Sequence, residues 1–301
     1  MPDLAIILPV YNRAAQLVRA VDSVLAQSFH SYELIVVDDA SSHDLSSVQQ
    51  LVESSGHQWK RLPENKGPAA ARNEGVRDSN SRWISFLDSD DEWDTEKMAD
   101  QWHWQRANPE FLISQVKENW YRNGVLFSKP GRLQQKCGDL FDVSCRRCAI
   151  GPSCVMMTRE LWEESGGFDE RFRVCEDYAL WLQVASKHPV GLVPGRPLVK
   201  KHGGHSDQLS VETPLLERYR FLALLEWVLE NPGESEQQST ARKALQFFGD
   251  QLRQYGEKHR LGDWAAFFEG SDFTGLIDAA SIEKAWSVLH ADWSVPPKIK
   301  G

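Results

Sequence analysis

The chain has 301 residues, a formal net charge of −9 and 41% hydrophobic residues. Its length allows one large domain or one domain with an extension, and its composition is typical of a globular protein. The acidic balance argues against a nucleic-acid partner, because proteins that bind a phosphate backbone are usually basic.

The sequence also bears on location and on the cysteines. No apolar run approaches the roughly 20 residues that a membrane-spanning helix needs. The start of the chain, Met1-Pro-Asp-Leu, lacks the features of a signal peptide. We therefore predict a cytoplasmic protein, with a peripheral position at the inner membrane face left open. The five cysteines predict reduced thiols, buried by default; the alternative is a zinc site begun by Cys145-x-x-Cys148, although a second well-spaced pair is missing.

The N-terminal part of the chain alternates apolar strands with amphipathic helices. Residues 4–10 and 32–37 are near-continuous apolar runs, typical of strands that are covered on both faces. Apolar residues at helical spacing predict a helix over 13–27, with Asn12 as its N-cap, and a second helix over 45–52. This alternation predicts a doubly wound sheet.

The alternation continues into an acidic turn. A short strand over 59–62 precedes a helix over 69–76, and an apolar strand over 83–87 leads directly into Asp88-Ser-Asp90-Asp91-Glu92. The four carboxylates of this turn repel one another, so solvent or a cation must offset their charge. Ligands bind at the carboxyl ends of strands in such sheets, and an Asp-x-Asp turn offers hard oxygen ligands. The turn therefore predicts a Mg²⁺ or Mn²⁺ site; the alternative is a solvated acidic turn.

The elements after this turn are shorter. We expect Asp94 to cap a helix, and residues 115–121 indicate an edge strand. Residues 151–157 indicate a strand that enters a helix over 159–165. Gly166-Gly167 should end that helix, since glycine tolerates the left-handed conformation found there.

Two acidic residues begin a further helix. Glu176 and Asp177 precede apolar residues at helical spacing, a position where the helix dipole favours carboxylates. Short strands over 190–193 and 198–201 then lead to His202-Gly-Gly-His205.

From Thr213 onward the pattern is helical, and no fixed-period repeat stands out. We therefore predict two domains, 1–212 with the sheet and 213–301 as a helical extension. The roles considered for the extension are to complete an acceptor site, to form a homodimer interface or to dock a partner.

Several motifs follow one another in an order that is more specific than any one of them. They are ILPVYNR, ELIVVDDAS, ENKGPAAARN, FLDSDDEW, GGFDE, CEDYALWL and KKHGGHSDQLS. In this order they resemble the large family of inverting nucleotide-sugar glycosyltransferases with the GT-A fold, of the family 2 type, over residues 4–210. The resemblance implies an α/β fold: a GT-A-like, Rossmann-related, mostly parallel mixed sheet flanked by helices, with a C-terminal helical extension.

The resemblance also implies roles for individual residues. Asp90 would be the direct metal ligand, with Asp88 on the ribose or a metal-bound water. His202, or alternatively His205, would reach the metal or the diphosphate. Asp177 would be the base that takes the proton of the acceptor hydroxyl, with Glu176 as the alternative. The implied nucleotide-binding residues are Pro9, Tyr11, Asn12, Asp39, Lys66, Gly67, Arg72 and Asp88.

The function that follows is metal-dependent transfer of a hexosyl or N-acetylhexosaminyl group, with Mn²⁺ or Mg²⁺, from a nucleotide-sugar donor to a hydroxyl. A UDP-linked donor is favoured, and the acceptor is a glycan, a lipid-linked glycan or another hydroxyl compound. A nucleotidyltransferase is one alternative, but the loop Pro-Val-Tyr-Asn-Arg after the first strand lacks the glycines of that class. The other alternative is a non-catalytic binding module, against which the joint presence of Asp88, Asp90 and Asp177 argues.

Overall fold

A computed structural model describes residues 2–128, 130–131, 134–204, 213, 215–268 and 279–290. The chain divides into two compact units. The first unit comprises Met1–Leu140 and Cys148–His205, and the second comprises Phe141–Arg147 and Ser206–Gly301. The predicted boundary between 212 and 213 stays a prediction, because residue 212 lies outside the described residues.

Among the described residues, the strands all belong to the first unit. They are β1 Leu4–Val10, β2 Tyr32–Asp38, β3 Gln58–Arg61, β4 Trp83–Phe86, β5 Glu92–Trp93, β6 Ile113–Gln115, β7 Glu118–Arg122, β8 Val125–Phe127, β9 Val155–Thr158, β10 Gly191–Leu192 and β11 Val199–Gly203. The helices of this unit are α1 Ala14–Leu25, α2 Ser46–Ser54, α3 Pro68–Arg77, α4 Lys97–Ala107, α6 Arg159–Ser165 and α7 Glu176–Lys187; α5 Phe141–Arg146 lies in the second unit.

The central sheet has seven strands in the order β10-β6-β9-β4-β1-β2-β3. The pairs β1–β2, β2–β3, β1–β4 and β6–β10 are parallel, whereas β9 runs antiparallel to both β4 and β6. Because β1, β2 and β4 run in one direction, the segments that follow them meet at one edge of the sheet.

Helices cover both faces of this sheet. All seven residues of β1 are buried, and they alternate between two apolar clusters. Ala5 and Ile7 pack in a cluster with Trp181 of α7, while Leu4, Ile6 and Leu8 pack with residues of α1. A strand buried on both faces needs apolar residues at every position, which explains its continuous apolar run. The predicted α/β fold with a mostly parallel mixed sheet is confirmed.

The approach of α3 to the sheet depends on small residues. A Cβ atom added at Gly75 would lie 2.5 Å from Cγ2 of Ile7. Ala69, Ala70 and Ala71 on the same helix are buried. Larger side chains here would push α3 away from β1 and with it Arg72, which lies between these small residues.

Of two predicted helix caps, one is wrong and the other lies two residues before the observed N-cap. Asn12 does not cap α1; its φ is 57°, and its Oδ1 accepts hydrogen bonds from the backbone N–H groups of Ser42 and His43 at 2.7 and 3.0 Å. The N-cap position of α4 is Glu96, but the carboxylate of Asp94 does bond to the chain just before this helix, since its Oδ1 accepts from the N–H of Glu96 at 3.2 Å. The same carboxylate also pairs with Arg196. Both side chains found tertiary partners that local pattern does not show.

A second sheet has the order β5-β11-β7-β8. The strand predicted over 115–121 is two strands, β6 in the central sheet and β7 in this one. Strands β5 and β8 were not predicted, since β5 has two residues and β8 has three. The pairing of β5 with β11 joins Glu92 to Lys200 and so brings β11 against the acidic turn.

The described helices of the second unit are α5, α8 Glu217–Glu230, α9 Glu236–His259, α10 Gly262–Phe268 and α11 Ala279–His290. The ring of Phe141 on α5 packs 4.6 Å from the ring of Trp227 on α8. Ser235 caps α9 through a bond from the N–H of Gln238. The helical character predicted beyond Thr213 is therefore present in these helices, while the membership of α5 was not predicted. Among the helices described, none is long and apolar enough to cross a membrane.

The five cysteines are free thiols. Cys145 and Cys154 are buried, as predicted, whereas Cys137 is exposed. Their burial raises the pKa of Cys145 to about 12 and that of Cys154 well above its usual value. These two thiols are therefore uncharged at neutral pH.

One charged residue lies in the core without a carboxylate. Lys97 of α4 is fully buried, with Nζ 3.8 Å from the centre of the Trp93 ring and 3.4 Å from the carbonyl oxygen of Val155. Within the described part of the chain it forms no salt bridge. Burial lowers the pKa of Lys97 to about 7. Sequence patterns did not single it out.

We predict that Lys97→Met changes how stability depends on pH. The unfolded chain binds the Lys97 proton up to its ordinary pKa, but the folded chain loses it near pH 7, so the folded wild type gains stability as pH rises above 7. The free energy of unfolding of the wild type should rise relative to the variant by about 1 kcal/mol per pH unit between about pH 7 and 10. Urea unfolding across this range measures it. Exposed Lys243→Met controls for the lost charge, and parallel curves for wild type and Lys97→Met would contradict the prediction.

Candidate active site

The acidic loop, residues 88–92, leaves the central sheet directly after β4. The N–H of Leu87 still bonds to the carbonyl of Ile7 on β1, at 3.0 Å, and the N–H of Asp91 then bonds back to the carbonyl of Asp88 at 2.9 Å. The chain therefore turns sharply at the sheet edge, and its carboxylates are presented where ligands bind in such folds.

Ser153 holds the acidic loop in place through two hydrogen bonds. Its hydroxyl, fully buried, donates to Oδ2 of Asp91 at 2.5 Å and accepts from the N–H of Asp88 at 3.2 Å. Burial raises the pKa of Asp91 to about 8, against the opposing effect of Lys201. One hydroxyl thus satisfies two buried polar groups of the loop that would otherwise cost free energy.

Arg72 joins the loop to the start of α7. Its guanidinium donates from Nη2 to Oδ1 of Asp88 and from Nη1 to Oε1 of Glu176, both at 2.6 Å. It also lies 5.0 Å from the centre of the Phe168 ring. Burial disfavours its charge, yet the two carboxylates hold the pKa of Arg72 above its usual value. Two predicted site residues, Asp88 and Glu176, therefore meet at the guanidinium of a third, Arg72.

The two acids that begin α7 face different neighbours. Glu176 is buried on Arg72, and burial raises the pKa of Glu176 to about 7 although Arg72 opposes this. Asp177 is only partly buried. Its Oδ1 accepts from the N–H of Tyr178 at 2.7 Å, and its Oδ2 accepts from the thiol of Cys148 at 3.2 Å. Of the predicted base and its alternative, only Asp177 is thus outside the ion pair with Arg72.

Cations from other elements neutralise the acidic loop. Arg13, just before α1, donates from Nη1 to Oδ2 of Asp90 at 2.7 Å. Arg19 donates to the backbone carbonyl of Asp90 at 2.8 Å. Nζ of Lys201 lies 3.6 Å from Oδ2 of Asp91 and 3.9 Å from Oδ2 of Asp88. Burial works against the charged form of Lys201, but the carboxylates around it hold its pKa well above its usual value.

His202 lies beside the loop on β11. Its backbone N–H donates to Oδ1 of Asp91 at 3.3 Å, and its ring atom Nε2 is 3.5 Å from Oε2 of Glu92. Its ring stacks on that of Tyr121, with 5.5 Å between the ring centres. Burial lowers the pKa of His202 and so favours a neutral ring that can act as a ligand. His205, the alternative, lies outside the described residues.

Two of the predicted metal ligands, Asp88 and Asp90, lie in the acidic loop and the third, His202, lies beside it, but their side chains do not converge on one point. In the described part of the chain, no three His, Cys, Asp or Glu side chains are grouped closely enough to hold a metal ion. Asp88, Asp90 and His202 instead face Arg72, Arg13 and Glu92. Their oxygen and imidazole donors nevertheless fit a hard divalent cation in chemical type. The three-ligand set stays a prediction.

Several of the predicted nucleotide-binding residues lie at the edge of the central sheet where β1 and β2 end. Both oxygens of Asp39 accept backbone N–H groups, from Lys66 and Gly67 at 2.8 Å each, and burial raises the pKa of Asp39. This fixes the loop before α3, where Gly67 has a φ of 88°. Tyr11, after β1, is 46% exposed and available to a ligand.

Two other predicted nucleotide-binding residues already have structural roles in the absence of a ligand. Pro9 is buried within β1, and Asn12 binds the backbone after β2. Their contacts with a nucleotide therefore stay predictions.

Five residues of the site were not predicted: Arg13, Arg19, Cys148, Ser153 and Lys201. Lys201 directly precedes His202 in a quoted motif, so its position beside the site could have been inferred. Ser153 lies in the 3-10 turn Pro152–Cys154 just before β9, and Cys148 lies in an irregular segment. No local pattern distinguishes a hydroxyl or thiol that bonds to a distant carboxylate from one that does not.

Comparison with known proteins identifies the family. The family model "Glycosyl transferase family 2" matches residues 5–142. The Escherichia coli UDP-Glc:alpha-D-GlcNAc-diphosphoundecaprenol beta-1,3-glucosyltransferase WfaP is 30% identical over 192 residues, which cover 62% of this chain and 72% of WfaP. The chain belongs to glycosyltransferase family 2. The family 2 resemblance expected from the ordered motifs is thereby confirmed.

Other relatives of this family 2 chain differ from it in length. An uncharacterised glycosyltransferase of Rickettsia felis is 31% identical over 188 residues, which cover 62% of this chain and 31% of that protein. The chain thus spans about a third of the length of that relative.

Solved structures show the shared fold. Residues 1–349 of Staphylococcus aureus TarS in complex with UDP-GlcNAc align with a TM-score of 0.68 at 14% identity, covering 97% of this chain and 91% of that one. The Pyrobaculum calidifontis mannosyltransferase PcManGT in complex with GDP-Man and Mn²⁺ aligns with a TM-score of 0.57 at 16% identity, covering 95% of this chain and 86% of that one.

We predict that Ser153→Ala destabilises the protein by about 1–3 kcal/mol, because it removes the hydroxyl that donates to Oδ2 of the buried Asp91 and accepts from the N–H of Asp88. Urea unfolding measures this loss. Ser144→Ala is a matched control: that hydroxyl is also buried, but it has no hydrogen-bond partner among the residues described. Its loss should change the free energy of unfolding by less than about 0.5 kcal/mol. Equal effects of the two substitutions would refute the role assigned to Ser153.

Proposed function

We propose that this chain transfers a sugar from a nucleoside diphosphate sugar to an acceptor hydroxyl, with inversion at the anomeric carbon. The observation that carries the proposal is the Arg72 guanidinium between Asp88 and Glu176. It brings the acidic loop, suited to a diphosphate with its cation, next to the acids at the start of α7, suited to accept a proton. Both halves of a displacement reaction are thus available at one sheet edge.

A UDP-linked donor is favoured. The relative WfaP is named for UDP-Glc, and the TarS structure with the same fold contains UDP-GlcNAc. In this proposal the base and ribose lie against Tyr11 and the loop that Asp39 holds through Lys66 and Gly67. Pro9, Asn12, Arg72 and Asp88 complete the nucleotide-binding set.

The diphosphate needs positive charge when the sugar leaves. Asp88 and Asp90 would hold Mn²⁺ or Mg²⁺, with His202 as a further ligand; PcManGT, which shares the fold, was solved with Mn²⁺. When bound, such a cation neutralises the charge that develops on the leaving diphosphate. Arg13, Arg72 and Lys201 neutralise the same loop in the structure described here, and their guanidinium and ammonium groups are suited to phosphate oxygens.

Asp177 serves as the base. The acceptor oxygen forms a bond to the anomeric carbon and gives its proton to the carboxylate of Asp177, while the carbon–oxygen bond to the diphosphate breaks and its electrons stay on the leaving nucleotide. Glu176 is less suited to this step because it is buried against Arg72. Asp177 is partly exposed, and the Cys148 thiol holds its carboxylate in one orientation.

We expect calorimetry to detect binding of UDP that requires Mn²⁺ and exceeds that of GDP. Asp90→Asn should weaken the metal-dependent binding of UDP at least about tenfold, because a neutral amide is a poorer ligand for a hard cation. Asp94→Asn is the matched control, since Asp94 pairs with Arg196 outside the acidic loop.

The outcomes of the calorimetry separate the hypotheses. Unchanged UDP affinity in Asp90→Asn would remove Asp90 from the metal site, and tighter binding of GDP would change the donor class. If the wild type bound neither nucleotide in the presence of Mn²⁺, the proposed function would fail.

We expect Asp177→Asn to retain UDP binding and to lose turnover of the donor by about 10²–10⁴-fold, the usual contribution of a general base. Release of UDP from a UDP-sugar, with and without screened saccharide acceptors, measures turnover. Cys148→Ala should lower turnover less, without weakening UDP binding, and Cys148→Ser should restore it because a hydroxyl donor replaces the thiol. Full turnover in Asp177→Asn combined with its loss in Glu176→Gln would assign the base to Glu176.

A further inference from the structure

The hairpin of β7 and β8 exposes an unusual amount of apolar surface. β8 is the edge strand of the second sheet, and its residues Val125, Leu126 and Phe127 are 70%, 56% and 48% exposed. The Asn123-Gly124 turn, with φ of 51° and 77°, joins the two strands tightly. An apolar edge strand that faces water is a liability for a soluble protein unless something covers it in use.

One face of the hairpin combines aromatic, aliphatic and cationic groups. Trp120 pairs with Phe127 and Arg122 pairs with Val125, so these four side chains share a face of the ladder. Trp120 is 42% exposed. Arg122 is exposed and forms no salt bridge with any residue that the structure describes.

The hairpin and the sequence beside it are opposite in charge to the chain as a whole. Among the described residues from 117 to 136, Lys117, Arg122 and Lys136 stand against the single acid Glu118, although the whole chain carries a net charge of −9. A basic, aromatic segment in an acidic protein complements a surface that is both anionic and apolar.

We infer that the β7–β8 hairpin docks the protein on an anionic membrane surface. Trp120 and Phe127 suit the boundary between headgroups and acyl chains, Val125 on the same face adds apolar contact, and Arg122 pairs with lipid phosphates. A second copy of the chain fits less well as the occupant, because it brings the same basic segment to the contact. The inference goes beyond the proposed function, since it requires no bound nucleotide.

The test is co-sedimentation of the full chain with vesicles of phosphatidylcholine alone or mixed with about one third phosphatidylglycerol. The wild type should bind the anionic vesicles more tightly than the neutral ones, and added salt should weaken that binding. The double variant Val125→Ser, Phe127→Ser and the single variant Arg122→Glu should each bind at least about tenfold more weakly. Phe247→Ser is the matched control, because Phe247 is 58% exposed on α9, away from the hairpin in sequence.

Vesicle binding that the hairpin variants lose and Phe247→Ser keeps would support the inference. It would be overturned if the wild type bound neither vesicle type, or if the hairpin variants bound as the wild type does. It would also be overturned if size-exclusion chromatography showed a dimer that the double variant abolishes, since the strand would then join two copies. UDP binding, measured on the same samples without vesicles, keeps failure of this inference distinct from failure of the proposed function.

Discussion

The buried guanidinium of Arg72 is the contact on which the candidate site depends. It holds Asp88 and Glu176 at 2.6 Å each, although Glu176 is 104 residues away in sequence. Each of the two acids would be costly to bury alone, and burial of Arg72 without them would be equally costly. The three groups therefore stabilise one another only as a set. This mutual requirement brings the turn after β4 against the start of α7 and gives both a fixed position.

The other carboxylates of the acidic loop are likewise stabilised by partners from other elements. Arg13 pairs with Asp90, Lys201 lies beside Asp91 and Asp88, and Ser153 bonds to Asp91. These partners come from separate parts of the first unit, so the loop is stabilised only when the surrounding elements have assembled. Because its carboxylates repel one another, the loop needs these neighbouring cations. In the function proposed above, this loop would receive a diphosphate together with its divalent cation.

The two apparently similar acids at the start of α7 illustrate how environment divides roles. Both stand in the first turn, where the helix dipole favours carboxylates. Glu176 points into the protein and is neutralised by Arg72, whereas Asp177 stays partly exposed and receives a thiol hydrogen bond from Cys148. Burial and hydrogen bonding, and not residue type, thus make Glu176 a structural partner and leave Asp177 suited to exchange a proton.

The strands β1, β2 and β4, the helices between them and the location of the acidic loop at a strand end could all be predicted from the amino-acid sequence. They are predictable because apolar runs and helical spacing act between near neighbours in the chain. The sequence also indicated the family, because the order of several motifs is specific. Three features could be seen only in the tertiary structure: Arg72 joins Asp88 to Glu176, Asn12 bonds to the loop after β2 and does not cap α1, and Lys97 is buried. Those outcomes depend on which distant side chains packing brings within hydrogen-bond distance, and no local pattern encodes that distance.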